Sequence, residues 1–118
     1  MNYNEIYRNK TKYLCLEIIK TLTPIPHSDA ISVIRKQIIK SSTSLAANYR
    51  VVNRARYTNE RYAKICIVVE EADETLFWLE ILDNINIISQ EKVLELLNLT
   101  EEIVKVMASY KKTLKPST

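Results

Sequence analysis

No glycine occurs anywhere in the 118 residues of this chain. Glycine enters left-handed backbone conformations without steric cost. Its absence therefore argues against tight two-residue hairpins, phosphate-cradling loops and helices that end on a left-handed residue. The three prolines, Pro24, Pro26 and Pro116, fall outside the periodic stretches. What remains is a chain suited to long uninterrupted helices, and all-α is the class expected.

Apolar residues at steps of three and four mark four such helices, at about residues 3–22, 29–53, 59–84 and 90–114. Tyr3, Tyr7, Leu14, Ile18 and Leu22 line the first, and Pro24 and Pro26 stop it. Ser28 caps the second, whose inner stripe reads Ile31, Ile34, Ile38, Ser41, Leu45, Asn48 and Val52. Thr58 is the expected cap of the third, with Ile65, Val68, Val69, Ala72, Leu76 and Leu79 inward. Ser89 caps the fourth, which keeps a heptad-like rhythm through Val93, Leu96, Thr100, Ile103, Met107, Tyr110 and Leu114 until Pro116 ends it. Connections of about six residues or fewer favour an antiparallel up-down-up-down four-helix bundle, one domain over residues 1–118.

The third helix carries more apolar bulk than one stripe can hold. Ile67, Phe77, Trp78 and Ile81 fall on the half away from Ile65 and Leu79, where a helix of a monomeric bundle should be polar. A second apolar face predicts burial against another copy of the chain, with these four residues as the subunit interface.

Charge is segregated along the sequence. Residues 35–64 hold eight basic side chains against Glu60 alone, a net of +7, while residues 65–104 hold ten acids against Lys92, a net of −9. Folding the second and third helices together brings Glu71 and Glu74 towards Arg35, Lys36 and Lys40. It leaves Arg50, Arg54, Arg56 and Arg61 beyond their reach, since the acids lie roughly 20–27 Å further along at 1.5 Å per residue. Arginines neutralise phosphates and interleaved tyrosines stack on unpaired bases. These four arginines with Tyr49 and Tyr57 are therefore the candidate nucleic-acid-binding residues. The alternative is that the tyrosines pin helix ends and the arginines pair with acids of an adjoining subunit.

Other chemistry is poorly provided for. The one histidine, His27, lies in the first connection, so the carboxylates of 70–74 lack the Glu-x-x-His pairs that bundle metal sites use. His27, Ser28 and Asp29 supply triad residue types, but adjacent residues cannot form the spatial relay. Cys15 and Cys66 sit in apolar helical contexts without a histidine partner. No catalytic residue, metal or organic cofactor is expected, and an enzyme is not. No apolar run approaches the ~20 residues of a membrane span, and Glu17 and Lys20 interrupt the first apolar stretch. A cytoplasmic protein with reduced thiols is the expectation.

Three segments carry a resemblance: SLAANYR (44–50), NRAR (53–56) and above all EEADETLFWLEIL (70–82). They resemble the bacterial four-helix-bundle family encoded by intervening sequences within 23S rRNA genes, over roughly residues 10–112. A related branch is similar to the accessory protein of diversity-generating retroelements, which works beside a reverse transcriptase. The resemblance implies a ring-like homopentamer, with RNA, a reverse transcriptase or another protein as partners. Two functions follow: a non-enzymatic nucleic-acid-associated ring, or a structural scaffold that binds a protein and no nucleic acid.

Overall fold

A computed structural model describes residues 2–114. Four helices account for most of them: α1 Tyr3–Leu22, α2 Asp29–Arg54, α3 Thr58–Ile85 and α4 Gln90–Leu114. They pack in cyclic order, α1 on α2, α2 on α3, α3 on α4 and α4 back on α1, in a body of 48 × 28 × 20 Å. The stop expected at Pro116 lies outside the described residues.

Three helices start on polar caps. Asn2 Oδ1 accepts from the Glu5 amide at 3.2 Å, Ser28 Oγ from Ile31 at 3.1 Å and Ser89 Oγ from Lys92 at 3.3 Å. α3 departs from expectation. Thr58 is its first helical residue, not its cap, and Tyr57 occupies the cap position without a side-chain hydrogen bond. The α3 terminus departs as well. Without glycine a left-handed helix end was not expected, yet Asn86 adopts φ 59°, ψ 40° and its amide donates to the Asp83 carbonyl at 3.2 Å. Asparagine tolerates this region better than other side chains, because its short amide can bond locally.

The core takes one stripe from each helix. Leu14, Ile18 and Leu22 meet Ile38, Leu45 and Val52, then Ile65, Val68, Ala72 and Leu79, then Leu96, Ile103 and Met107, all at 2% exposure or less. Each large member contributes about 1.5–3 kcal/mol by leaving water. Val69 and Leu76, expected inside, only pack against this core from its edge, while Thr75 and Leu82 of the same helix are buried. The buried hydroxyls do not interrupt it. Thr11, Thr75 and Thr100 each donate to the carbonyl four residues back, at 2.7–2.8 Å, and Ser41 and Ser42 to the one three back. Bonded within their own helices, these polar groups enter the core without an unmet hydrogen bond.

The α1–α4 seam closes with polar pairs. Glu102 accepts from Tyr7 at 2.8 Å and pairs with Lys10; Glu95 accepts from Tyr13 at 3.0 Å; Lys92 reaches Glu17 at 2.6 Å. Residue numbers thus climb on α4 as they fall on α1. The pairing expected between α2 and α3 is different in kind. Arg35 turns away from Glu71 and Glu74 and donates to the Leu22 and Ile25 carbonyls, at 3.0 and 2.5 Å, closing the end of α1. No ion pair joins Glu71 or Glu74 to Lys36 or Lys40 among the described residues. Burial pushes the Glu71 carboxyl up and Glu74 adds to the rise; hydrogen bonding from Ser44 and the charge of Lys40 oppose it without reversing it.

These ionisations set a pH dependence. Lys10, then Tyr7, hold Glu102 below the usual carboxylate range, and Lys92 does the same for Glu17. A carboxylate depressed in the folded state contributes stability that is whole above its unfolded pKa, about 4.3, and lost as pH falls through the lower folded value. Glu71, raised by burial, works with the opposite sign: its charged form disfavours the fold, and protonation relieves this. Urea unfolding followed by circular dichroism should therefore lose stability below about pH 4.3. Glu102→Gln should be less stable than wild type at neutral pH and should lose part of that acid dependence.

Candidate nucleic-acid interface

The short connection between α2 and α3 gathers the basic segment at one end of the body. Arg50 and Arg54 close α2, Arg56 and Tyr57 form the turn, and Arg61 and Tyr62 open α3. Arg50, Arg54, Arg56 and Tyr57 are exposed, Tyr57 at 71%. None of these arginines makes an ion pair among the described residues. Four guanidinium groups with few acids nearby give a local positive field, and the exposed three can turn towards a ligand at little cost.

Arg61 has a different position. Its guanidinium donates to the Ala55 carbonyl, the residue that ends α2. It therefore fastens the turn that displays Arg54 and Arg56, and is half-buried in doing so. Tyr49 does not stand on the surface. Its ring is 2% exposed, and burial pushes its hydroxyl pKa up. It cannot stack on a base from outside. The inner stripe of α2 passes through Tyr49, four residues after Leu45 and three before Val52, whereas Asn48 stays half-buried and donates to the Ser44 carbonyl at 2.9 Å. The Leu45–Tyr49–Val52 spacing was the signal available in the sequence.

Two further cations join from α1. A cleft of about 280 Å³ between α1 and α2 is lined by Arg8, Lys12 and Arg50, with Cys15 and the small residues Thr43, Ala46 and Ala47. The close approach that Ala46 and Ala47 permit lets Arg8 and Lys12 share this groove with Arg50. Folding α1 on α2 across residues 23–28 sets position 8 opposite about 43, two helical turns from Arg50, an arithmetic applied in the sequence only to the second hairpin. Burial pushes the Cys15 thiol up, so it remains protonated in the groove wall.

The outer face of α3 is divided. Phe77 and Ile67 are exposed, at 52% and 36%, whereas Trp78 and Ile81 are half-buried against their own core. The Phe77 and Trp78 rings meet edge to face, 4.9 Å apart and inclined by 75°. Trp78 Nε1 is buried with no hydrogen-bond acceptor, a vacancy costing about 1–3 kcal/mol if nothing fills it. Ile85, 44% exposed and on the same stripe, belongs with them and was missed because it lies past the expected end of the helix.

Other chemistry finds little here. Among the described residues no three His, Cys, Asp or Glu side chains converge as metal ligands, and no helix is long and apolar enough to cross a membrane. Ser28 Oγ is engaged as a helix cap beside His27.

The class defined by this geometry is a four-helix protein with a basic pole and a partly apolar outer face. The chain belongs to the 23S rRNA-intervening sequence protein family, whose model matches residues 4–109. A crystal structure from Bacteroides thetaiotaomicron, described as a protein of unknown function from the S23 ribosomal protein family, is similar at TM-score 0.81. The two are 28% identical over 92% of this chain and 97% of that one. Among curated proteins none matches this chain significantly.

The arginines should separate experimentally by what they touch. Arg61→Ala, which removes a charged donor from the α2 terminus, should cost about 1.5–3 kcal/mol in urea unfolding and speed amide exchange around residues 55–58. Arg56→Ala, on an exposed side chain without a partner, should stay within about 0.5 kcal/mol of wild type.

Proposed function

We propose that this chain is a non-enzymatic RNA-binding protein that works as a homo-oligomer, pentameric as the family resemblance implies. Each subunit is an antiparallel up-down-up-down bundle, a reading supported by the opposed residue order of the α1–α4 pairs. The observation that carries the function is the set of exposed arginines 50, 54 and 56, unpaired among the described residues, at one end of the bundle. A phosphate backbone supplies the missing counter-charge, and Tyr57 supplies an exposed ring beside it. Repetition around a ring would raise avidity without any new contact.

The assembly reading rests on the outer face of α3. Exposed Phe77, the unmet Nε1 donor of Trp78, and Ile67 and Ile85 fit a contact that another subunit completes. A large aromatic at the centre of such a contact commonly carries about 2 kcal/mol or more. Phe77→Glu is the cleaner probe, since Phe77 is half-exposed while Trp78 also packs inward. The variant should keep its helical spectrum and sediment as a smaller species than wild type. A wild type that sediments as a monomer at micromolar concentration overturns the assembly.

RNA binding is tested by filter binding across salt concentrations. Affinity for single-stranded RNA should fall steeply with salt, with a slope that flattens by about 0.7 for each phosphate-binding arginine removed. The triple variant Arg50→Ala, Arg54→Ala, Arg56→Ala should lose most binding while remaining oligomeric. If it binds as wild type does, these arginines are not the site. If wild type itself does not bind at low salt, the protein-binding scaffold becomes the better reading.

A further inference from the structure

We infer that a tyrosine-walled pocket between the start of α1 and the end of α4 is a subsite for one unpaired base of the bound RNA strand. The inference rests on the reading of this end of the bundle as an RNA-binding surface, and it locates base contact away from the turn at 55–57. The pocket has a volume of about 260 Å³ and is lined by Tyr3, Asn4, Tyr7, Tyr49, Val106 and Tyr110 among others. Drug-sized ligands occupy pockets of roughly 300–1,000 Å³, so this one suits a single planar ring system and not an extended ligand.

Its walls have the chemistry of a stacking site. Tyr3 is 63% exposed yet held parallel to Tyr7, with the two rings 6.2 Å apart and inclined by only 9°. Tyr7 is fixed in turn, its hydroxyl donated to Glu102 and the Lys10 ammonium 5.3 Å from its ring centre. A ring ordered on one side and open on the other is a platform for a third. Tyr49, unable to stack from outside, here forms inner wall, its hydroxyl 3.5 Å from Asn4 Oδ1. Polar groups at the rim, Asn4 and Ser109 among them, offer donors and acceptors to a base edge.

The second observation concerns charge. Each of three lining tyrosines is followed directly by a cation: Tyr7 by Arg8, Tyr49 by Arg50 and Tyr110 by Lys111. Successive helical residues are about 100° apart, so a ring turned towards the pocket places its cationic neighbour on the flank. Arg8 and Arg50 are already together in the adjoining α1–α2 groove. A strand with its phosphates along that groove would have a base within reach of the pocket. An apolar small molecule would gain nothing from these cations, which is why a base attached to a phosphate chain is the fitting occupant.

The test uses the full chain with a fluorescent single-stranded RNA of about a dozen nucleotides and a duplex RNA of equal length. Tyr3→Ala removes the exposed platform, and Ser109→Trp fills the pocket from its exposed rim. Both should weaken single-strand binding about tenfold, with an unchanged salt slope and unchanged duplex binding. If both bind the single strand as wild type does while the triple arginine variant loses it, the pocket is no base subsite and the basic edge still stands. If duplex binding weakens equally, the substitutions act through phosphate contacts or the fold, and the subsite is likewise rejected. If wild type binds neither RNA at low salt, the subsite and the RNA reading fall together.

Discussion

Burial of one apolar stripe from each of four helices is the interaction on which everything else in this structure depends. The stripes are long enough that loss of any one would expose a row of large aliphatic side chains. Hydroxyls interrupt all four stripes, at Thr11 in α1, Ser41 and Ser42 in α2, Thr75 in α3 and Thr100 in α4. Each bonds a carbonyl of its own helix, and one pair also meets across the core, where the Thr75 hydroxyl lies 2.8 Å from Ser41 Oγ. The display of arginines at one end and of Phe77 on the outer face presupposes that this interior is rigid.

The electrostatics follow a division of labour between seams. Where α1 meets α4, ion pairs and tyrosine hydroxyls bridge the helices, and burial together with Glu102 pushes the Tyr7 hydroxyl up to about 12, so that it remains a donor. Where α2 meets α3, contact is through apolar and small side chains with one buried hydrogen bond, Thr75 to Ser41, and the acids of 70–74 stay without basic partners among the described residues. Arg35 and Arg61 keep their charge but direct their hydrogen bonds to the backbone: each donates to carbonyls that close a neighbouring helix or turn.

Much of the fold was legible because it rests on period. Helix positions came from the three-and-four spacing, and the chemistry of Ser28 and Ser89 at helix starts is local. What escaped depends on rotations of less than one residue step or on long side chains. Tyr49 and Asn48 are adjacent, and period alone chose the wrong one for the core. Thr58 has cap chemistry, but the helix begins one residue earlier than its side chain would dictate. Asn86 took the left-handed position because another residue could stand in for glycine. Arg8 and Lys12 were missed because their role appears only when α1 is laid on α2. The arginines that bind backbone carbonyls look the same in sequence as those that face water.

The α1–α4 seam has a consequence for how the molecule responds to its medium. Its pairs are part-exposed, and mobile ions screen such pairs over about 8 Å at physiological ionic strength. Lys10, Tyr7 and Glu102 sit within this seam beside the tyrosine-walled pocket, and the cationic groove opens on the other side of α1. Ionic strength therefore acts on the closure of the bundle and on the attraction of its basic pole through one and the same variable. In a dilute medium α1 is drawn to α4 while the pole is at its most attractive; in a concentrated one both relax together. The first helix is thus coupled to the ionic atmosphere on both of its faces.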